Sequence, residues 1–375
     1  MYRVLHILGG MNIGGIENFI MNVYRTIDRS KIQFDFLLHT PENHKDFFTD
    51  EILSLGGKIY KIPSRRQGVL KNIRELNRFF GAHNEYKVVH QHLSSLSYIE
   101  PLIIAKKSGI KTRIVHSHST TQKGSRFHYL SHKFNQVRLK SFSTDVFSCS
   151  DKAAEWLCGK KQASEKGYVF IPNGIDPGKF TFSQESREEI RRELNIDNDC
   201  LVVGLVARLT WQKNHKFLFN IFDKIVKQYD GKAVLLVAGD GSLREDLTDY
   251  ADSLGLKDSI LFLGSRSDVD KIYSCLDIFV MPSINEGLPV TLIEAQAANL
   301  PCIVSDNITK MVRISNLIYY IPLNVSPDEW AKKCIELFDP FSQRNNKEIL
   351  SNSVFDINYT AAFLQNFYVQ SYTER

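Results

Sequence analysis

The chain has 375 residues, of which 43% are hydrophobic and 24% charged, and its formal net charge is +5. This is too long for one typical core and suits two α/β domains of ordinary soluble composition. Six scattered cysteines without a C-x-x-C, no apolar run near the ~18 residues of a membrane span, and an N-terminus that enters a strand-like run at once argue against a disulfide scaffold, a structural zinc site, a spanning helix and a secretory leader, and place the chain in the cytoplasm.

In chain order, apolar runs predict strands over 4–8, 34–38, 88–91, 113–117 and 145–148, with helix-period stretches over 16–27, 70–80 and 98–107 between them. Such alternation implies parallel strands joined by right-handed crossovers. Turn chemistry at Ile171-Pro172-Asn173-Gly174-Ile175-Asp176-Pro177-Gly178 marks a boundary, giving a first domain over 1–172 and a second over 173–355. In the second domain a helix over 184–194 precedes strands over 201–206, 232–238, 259–263, 277–281 and 301–304, with helices over 216–229 and 243–254. A helical stretch over 359–372 has no strand partner, so 356–375 is expected to pack back on the first domain. The fold class is α/β: two doubly wound parallel-sheet, Rossmann-like domains facing a cleft, with ligands bound beyond the carboxyl ends of the strands.

Residues 101–144 contain no Asp or Glu, but carry Lys106, Lys107, Lys111, Arg113, Lys123, Arg126, Lys133, Arg138 and Lys140. Phe127, Tyr129, Leu130, Phe134, Val137 and Leu139 are interleaved with these charges, as in an amphipathic helix lying at lipid headgroups. An anionic membrane surface is the partner this favours; a phosphorylated acceptor, nucleic acid or a merely solvated basic face are the alternatives.

Five segments carry candidate chemistry. Gly9-Gly10-Met11-Asn12-Ile13-Gly14-Gly15 lies between the first strand and first helix, where glycines let backbone N–H groups approach a phosphate. It matches neither G-x-G-x-x-G nor a P-loop, and a plain tight turn would read the same way. In the run from Gly204 to Asn214, Arg208 follows a buried strand and Lys213 stands at a helix start. A guanidinium and an ammonium so placed suit a diphosphate, or else two ordinary salt bridges. Glu286 occupies a loop, Pro289 the expected first helical position, and Glu294 the helix that follows. Eight helical residues span roughly 12 Å, which is too far for two carboxyls on one glycosidic bond, normally about 5–9.5 Å apart. The separation suits two hydroxyl-bearing ends of one ligand, such as a sugar and a ribose; a solvated loop acid and a buried ion-pair partner are the plain alternatives. His90-Gln91-His92 and His116-Ser117-His118 end two strands, with alternate residues sharing a face. They suit an acceptor-side polar site, a structural cluster or a four-histidine metal site. Asp268-Val269-Asp270 resembles a metal–diphosphate string, but acids at a helix start explain it more simply.

Gly14-Gly15-Ile16-Glu17, Pro172-Asn173-Gly174-Ile175-Asp176, Arg208 through Lys213, Gly239-Asp240-Gly241 and the E-x7-E from Glu286 to Glu294 together resemble glycosyltransferase family 4 of the retaining GT-B enzymes, in the family's order and across nearly the whole chain. The resemblance implies that Arg208 and Lys213 hold the donor diphosphate and stabilise the leaving group. It implies that Glu286 contacts the donor sugar hydroxyls and Glu294 those of the ribose. Backbone N–H groups of Gly287, Leu288 and the neighbours of Pro289 would approach sugar or phosphate, and Gly14 and Gly15 the diphosphate. Gly239 would belong to the donor site, Gly264, Ser265 and Arg266 would lie by the base, and His116, with His118 beside it, would lie near sugar and acceptor. Ile16, where relatives often carry Ala, and Thr210-Trp211-Gln212, in place of a more acidic and glycine-containing stretch, depart from the pattern and leave the donor open.

The implied activity is retaining transfer of a sugar from a nucleoside diphosphate, UDP first, to a saccharide or lipid-linked acceptor in bacterial capsule, exopolysaccharide or lipopolysaccharide synthesis. No metal or other cofactor and no nucleic acid is implied, and the setting is the inner face of the plasma membrane. A GT-B epimerase or phosphorylase, or a non-catalytic carbohydrate or nucleic-acid binder, are the alternatives.

Overall fold

The computed structural model describes residues 1–374 apart from 13, 119–124, 340–343, 345–349 and 351–352. Ile13 of the glycine segment and Lys123 of the basic block therefore lie outside the described residues. The chain forms two compact units, one of Met1–Gly174 with Val354–Arg375 and the other of Ile175–Ser353.

The first unit is built on β1 (Tyr2–Leu8), β2 (Ile32–Leu38), β3 (Ile59–Lys61), β4 (Val88–Leu93), β5 (Thr112–Ser117), β6 (Asp145–Ser148) and β7 (Val169–Phe170). All pair in parallel, in the order β3-β2-β1-β4-β5-β6-β7. Helices cover both faces, so the inner strands read as near-continuous apolar runs. Alternate residues then feed two cores. Val4, Phe34, Phe36 and Phe147 pack with Ile20 and Tyr24 of helix Gly15–Thr26 and with Leu364 and Tyr368 of the C-terminal helix Ile357–Thr373. Leu5, Ile7, Val89 and Val115 face Leu76, Phe80 and Leu102 on the other side. The C-terminal helix is fastened further by Gln365, which accepts from the Asp28 N–H at 2.9 Å, and by Tyr372 stacked on Tyr2 at 4.5 Å.

The second unit carries β8 (Leu201–Val206), β9 (Ala233–Ala238), β10 (Ile260–Gly264), β11 (Ile278–Met281), β12 (Cys302–Ser305) and β13 (Ile318–Ile321) in the order β10-β9-β8-β11-β12-β13. These strands are again all parallel. Below β11, the Asp277 carboxylate accepts from Arg187 (2.6 Å), Arg191 (2.8 Å) and the Val202 N–H (2.7 Å), tying helix Gln184–Glu193 to the sheet. Each sheet reverses direction of winding between two neighbouring strands, β1 and β4 in one unit and β8 and β11 in the other. At these switch points the loops leaving the carboxyl ends diverge to opposite faces and open a crevice.

The short edge strands β3, β7 and β13 escape the sequence reading because two to four residues carry no period. Two local corrections concern the second unit. Pro289 is the N-cap of helix Val290–Ala297 and not its first residue. Lys213 closes a 3-10 turn, Trp211–Lys213, and the helix itself, His215–Gln228, begins beyond Asn214, whose left-handed conformation (φ 57°) makes the break.

Candidate active site

In the second unit, two loops leave the switch point: Ala207–Asn214 after β8 and Pro282–Pro289 after β11. Backbone and amide contacts fasten one to the other. The Ile284 N–H donates to the Gln212 carbonyl (2.8 Å), and the Asn214 side chain donates to the Pro282 carbonyl (3.1 Å). This brings Lys213 Nζ within 2.6 Å of Glu286 Oε1, an ion pair with only 18% and 12% of the two side chains exposed. A cation and a loop acid, read separately in the sequence, thus pair at the point where ligands of such sheets bind, and for Lys213 this is the ordinary salt bridge that the sequence offered as the plain alternative. Arg208 is exposed at the end of β8, and its guanidinium has no hydrogen-bond or ion-pair partner among the described residues.

The Arg208 loop lies flat on a second glycine-bearing loop. Gly239 has φ +135°, and a Cβ there would overlap the Ala207 carbonyl oxygen. At Gly241 a Cβ would stand 2.5 Å from the Leu209 carbonyl oxygen. The Leu209 N–H donates to the Asp240 carbonyl (3.0 Å) and the Gly239 N–H to that of Gly264 (2.7 Å). Gly239 and Gly264 thus meet through the backbone, and Gly239 and Gly241 act as spacers that set the path of the Arg208 loop.

Glu294 sits in the second turn of its helix and is partly buried. Its Oε2 accepts from the Tyr273 hydroxyl at 2.8 Å. Burial pushes the carboxyl up to about 7, against the opposing effect of that hydrogen bond. Glu294 is therefore bonded to a phenol, where the plain sequence alternative made it an ion-pair partner. Ser265 is exposed, whereas Arg266 forks onto Glu193 (2.7 Å) and Asp268 (2.8 Å), which raise its basicity further. Contact of the Arg266 guanidinium with a nucleotide base would have to share those partners. Asp270 faces Lys179 at 3.9 Å, so both acids of the D-x-D string answer cations of their own unit. Gly287 and Leu288 are partly buried and Pro289 is buried in the loop that ends at the Glu294 helix.

In the first unit, Gly14 is the N-cap of helix Gly15–Thr26, and Gly15 opens it with no side-chain cap. The loop before it is anchored by buried Asp46, whose Oδ1 accepts from the Met11 N–H (2.9 Å) and the Asn12 amide (3.2 Å). Asp46 was not legible in the sequence, because it lies far from the loop in the chain. At the ends of β4 and β5 the register sets His92 beside His116, and β1 adds His6 beside His90. His116 is fully buried and His118 partly buried, so His118 is the more open of the two. Burial lowers the basicity of His6, His90, His92, His116 and His118 alike, and all are neutral at pH 7. Ring nitrogens of His6, His90 and His92, and of His92, His116 and His118, lie within 4.8 Å of one another, a spacing open to metal ligation as well as hydrogen bonding.

Two family models meet in this chain. Residues 13–179 match "Glycosyltransferase Family 4" and residues 186–346 match "Glycosyl transferases group 1". EpsF of Bacillus subtilis (strain 168), a glycosyltransferase by inference, is 33% identical over 365 residues, covering 96% of this chain and 93% of EpsF. The chain is a family 4 glycosyltransferase. The transferase is also 24% identical, over 81% of its length and 79% of the relative's, to the Escherichia coli UDP-Gal:alpha-D-GlcNAc-diphosphoundecaprenol alpha-1,3-galactosyltransferase. Among solved structures it resembles a glycosyltransferase of Rickettsia africae (TM-score 0.80, 16% identity, 100% and 99% of the two chains) and Anabaena Alr3699/HepE in complex with UDP (TM-score 0.76, 16% identity, 99% and 100%). The likeness extends over both units, and the fold is GT-B.

Helix Arg126–Val137 leaves Phe127, Leu130, Phe134 and Val137 exposed, Phe127 by 74% and Val137 by 89%. Their spacing places them in one stripe along the helix. Among the described helices, none is long and apolar enough to cross a membrane.

Proposed function

We propose that the transferase moves a sugar from a UDP donor to a saccharide or lipid-linked acceptor in assembly of a bacterial surface polysaccharide, with retention of configuration. The Lys213–Glu286 pair carries this reading. It sets an ammonium and a carboxylate side by side at the switch point, beside a strand end that presents Arg208 without an internal partner. Arg208 and Lys213 meet the diphosphate charge in place of a metal ion and stabilise it as it leaves, and Glu286 accepts hydrogen bonds from the sugar hydroxyls. Glu294, oriented by Tyr273, takes the ribose hydroxyls. Gly287 and Leu288 offer backbone N–H groups to sugar or phosphate, as do Gly14 and Gly15 at their uncapped helix start. The loop of Gly264, Ser265 and Arg266 borders the base, and His116 and His118 serve the sugar and acceptor side. The leaving diphosphate itself takes the acceptor proton.

UDP is preferred because the E. coli relative is named for a UDP-sugar and the Anabaena structure holds UDP. The lipid-linked acceptor rests on the diphosphoundecaprenol in the name of that same relative. The exposed stripe of helix Arg126–Val137, with Lys133, Arg138 and Lys140 around it, is proposed to rest on an anionic membrane where such an acceptor is held, at its cytoplasmic face.

Thermal denaturation with a panel of nucleoside diphosphates and nucleotide sugars, without added metal, tests the donor. A ligand of the native state alone raises the melting temperature. A selective rise with UDP or a UDP-sugar is expected; a flat response at concentrations well above millimolar would overturn the assignment.

A further inference from the structure

Five histidines of the first unit, His6, His90, His92, His116 and His118, form two hydrogen-bonded files on one face of its sheet. In one, the Tyr368 hydroxyl meets His90 Nδ1 (2.7 Å), and His90 Nε2 meets His116 Nδ1 (3.2 Å). In the other, His6 Nδ1 meets His92 Nε2 (2.9 Å), and His92 Nδ1 meets His118 Nε2 (3.0 Å). Phe19 and Phe147 wall the files.

A neutral imidazole carries one N–H and one lone pair. Within a file every ring must therefore donate in the same direction, and the residue at one end sets the tautomer at the other. Tyr368 is fully buried, and His90 is the only partner of its hydroxyl among the described residues. Donation from Tyr368 to His90 Nδ1 satisfies that O–H. His90 then donates from Nε2, and His116 must hold its proton on its own Nε2. The opposite direction would strand a buried phenolic O–H, which is disfavoured.

The second file ends likewise. Asn173 stands by His118, and its buried Oδ1 has no hydrogen-bond partner within normal geometry. A proton on His118 Nδ1 complements that oxygen, and the file then leaves only a lone pair at its inner end, on His6 Nε2. The rings of His116 and His118 are 4.0 Å apart at the outer end, where the His116 ring faces the Ile171 backbone and His118 the Asn173 side chain, and where His116 Nε2, His118 Nδ1 and Asn173 Oδ1 are buried without a hydrogen bond of normal geometry.

We infer that the two files are a tautomer lock, in which Tyr368, His90, His92 and His6 are positioning residues that hold His116 Nε2 and His118 Nδ1 as N–H donors, the second directed at Asn173 Oδ1, so that the His116–His118 pair is held in one orientation for the hydroxyl-bearing sugar. This rests on the placement of His116 and His118 by the sugar proposed above. It also gives the C-terminal helix a function: the chain returns to the first unit and delivers the Tyr368 hydroxyl to the foot of the file.

Nitrogen-15 NMR of histidine-labelled protein reads the tautomers directly. In the wild type, His116 is expected as the Nε2–H form and His118 as the Nδ1–H form; a proton on His116 Nδ1 overturns the lock, and needs no variant. Tyr368→Phe, which keeps the ring, should mix the His116 tautomers and lower kcat about 10-fold, with UDP affinity unchanged. Unaltered tautomers in that variant would also overturn the lock. Mixed tautomers with wild-type transfer rates would leave the lock but remove its role in positioning, showing that His116 and His118 are not at the sugar. Loss of the ladder N–H signals on addition of stoichiometric Zn²⁺ alone, with a rise in melting temperature, would assign the cluster to a metal and overturn the proposal.

Discussion

Lys213 Nζ and Glu286 Oε1 stand 2.6 Å apart, joining the loops that follow two adjacent strands, β8 and β11. On the proposed reading the pair opposes the diphosphate as much as it prepares for it, because Glu286 competes for the ammonium that the phosphate would need. Removing each partner should therefore have different results. Lys213→Ala is expected to weaken UDP binding by about 10- to 100-fold, the loss of one charge-assisted contact of ~1.5–3 kcal/mol. Glu286→Ala should lower transfer at least about 100-fold, in the range seen when one transition-state contact is removed, yet leave UDP affinity equal to wild type or tighter. Calorimetric titration with UDP beside an assay of transfer separates the two. Weakened UDP binding in Glu286→Ala would mean that the pair is a structural brace and not a shared site.

Glu294 supplies a pH dependence. Burial holds its carboxyl at about 7 in the folded chain, above its ordinary value of 4.5. Ribose hydroxyls donate to a carboxylate, so UDP binding favours the ionised form and should tighten as pH rises from 6 to 8. Binding at pH 6.5 should release protons, read as a buffer-dependent calorimetric enthalpy. Glu294→Gln should abolish that release. For stability the sign is opposite. The unfolded chain gives up this proton first, so stability falls as pH rises from 4.5 through 7 and is level above. Glu294→Gln should then raise the melting temperature at pH 8 by about 2–4 °C, the shift for ~1 kcal/mol in a domain of this size, and by less at pH 5.

The Gly239 backbone decides whether Arg208 is presented at all. Gly239→Ala combines a Cβ overlap with the Ala207 carbonyl and a φ of +135° that alanine rarely adopts. The cost is expected to reach about 1–3 kcal/mol from the backbone conformation alone, with the Arg208 loop displaced and UDP binding lost. Gly255→Ala is the control: its φ is +72°, but no atom stands within 4 Å of the added Cβ and the residue lies between helix Arg244–Ser253 and β10. It should destabilise the chain while leaving UDP affinity intact. Equal loss of affinity in both variants would mean that Gly239 acts through general stability.

The two loops themselves were legible in the sequence, though not their pairing, because their charged residues lie in short segments next to strongly apolar strands. Val202 through Val206 and Phe279 through Met281 announce strands, and Lys213 and Glu286 follow at loop distance. Contacts made across the fold were not legible. Tyr273 looks like an ordinary apolar residue of a short helix, and only the packing of that helix beside Val290–Ala297 turns its hydroxyl toward Glu294. His6 sits inside the first strand with nothing to mark it until parallel register sets it against His90. Tyr368 is separated from His90 by most of the chain. Asp46 follows a loop of charged and polar residues that reads as solvated, yet its carboxylate anchors the glycine loop. The motifs are local, whereas the residues that orient them arrive through tertiary structure.

Helix Arg126–Val137 gives the last prediction. A helix facing its own core would hide an apolar stripe, but Phe127, Leu130, Phe134 and Val137 face out, while His132 and Asn135 are the residues it buries. Arg138 lies over the Phe134 ring at 5.0 Å, so charge borders the stripe closely. On anionic vesicles the rings would enter the headgroup layer and the cations would meet lipid phosphate. Reversing Lys133, Arg138 and Lys140 together should weaken vesicle binding by at least about 100-fold, since the loss of the three positive charges alone removes ~1 kcal/mol each near the surface. Replacing Phe127, Leu130 and Phe134 by Ser should weaken binding to both anionic and neutral vesicles, since apolar insertion is indifferent to lipid charge. Cosedimentation with vesicles of neutral lipid alone and of neutral lipid mixed with anionic lipid distinguishes the two terms. Transfer to a water-soluble acceptor analogue should be unchanged in both variants, because neither set of substitutions changes a residue of the Lys213–Glu286 loops. Unaltered sedimentation in both would leave the stripe without a membrane function.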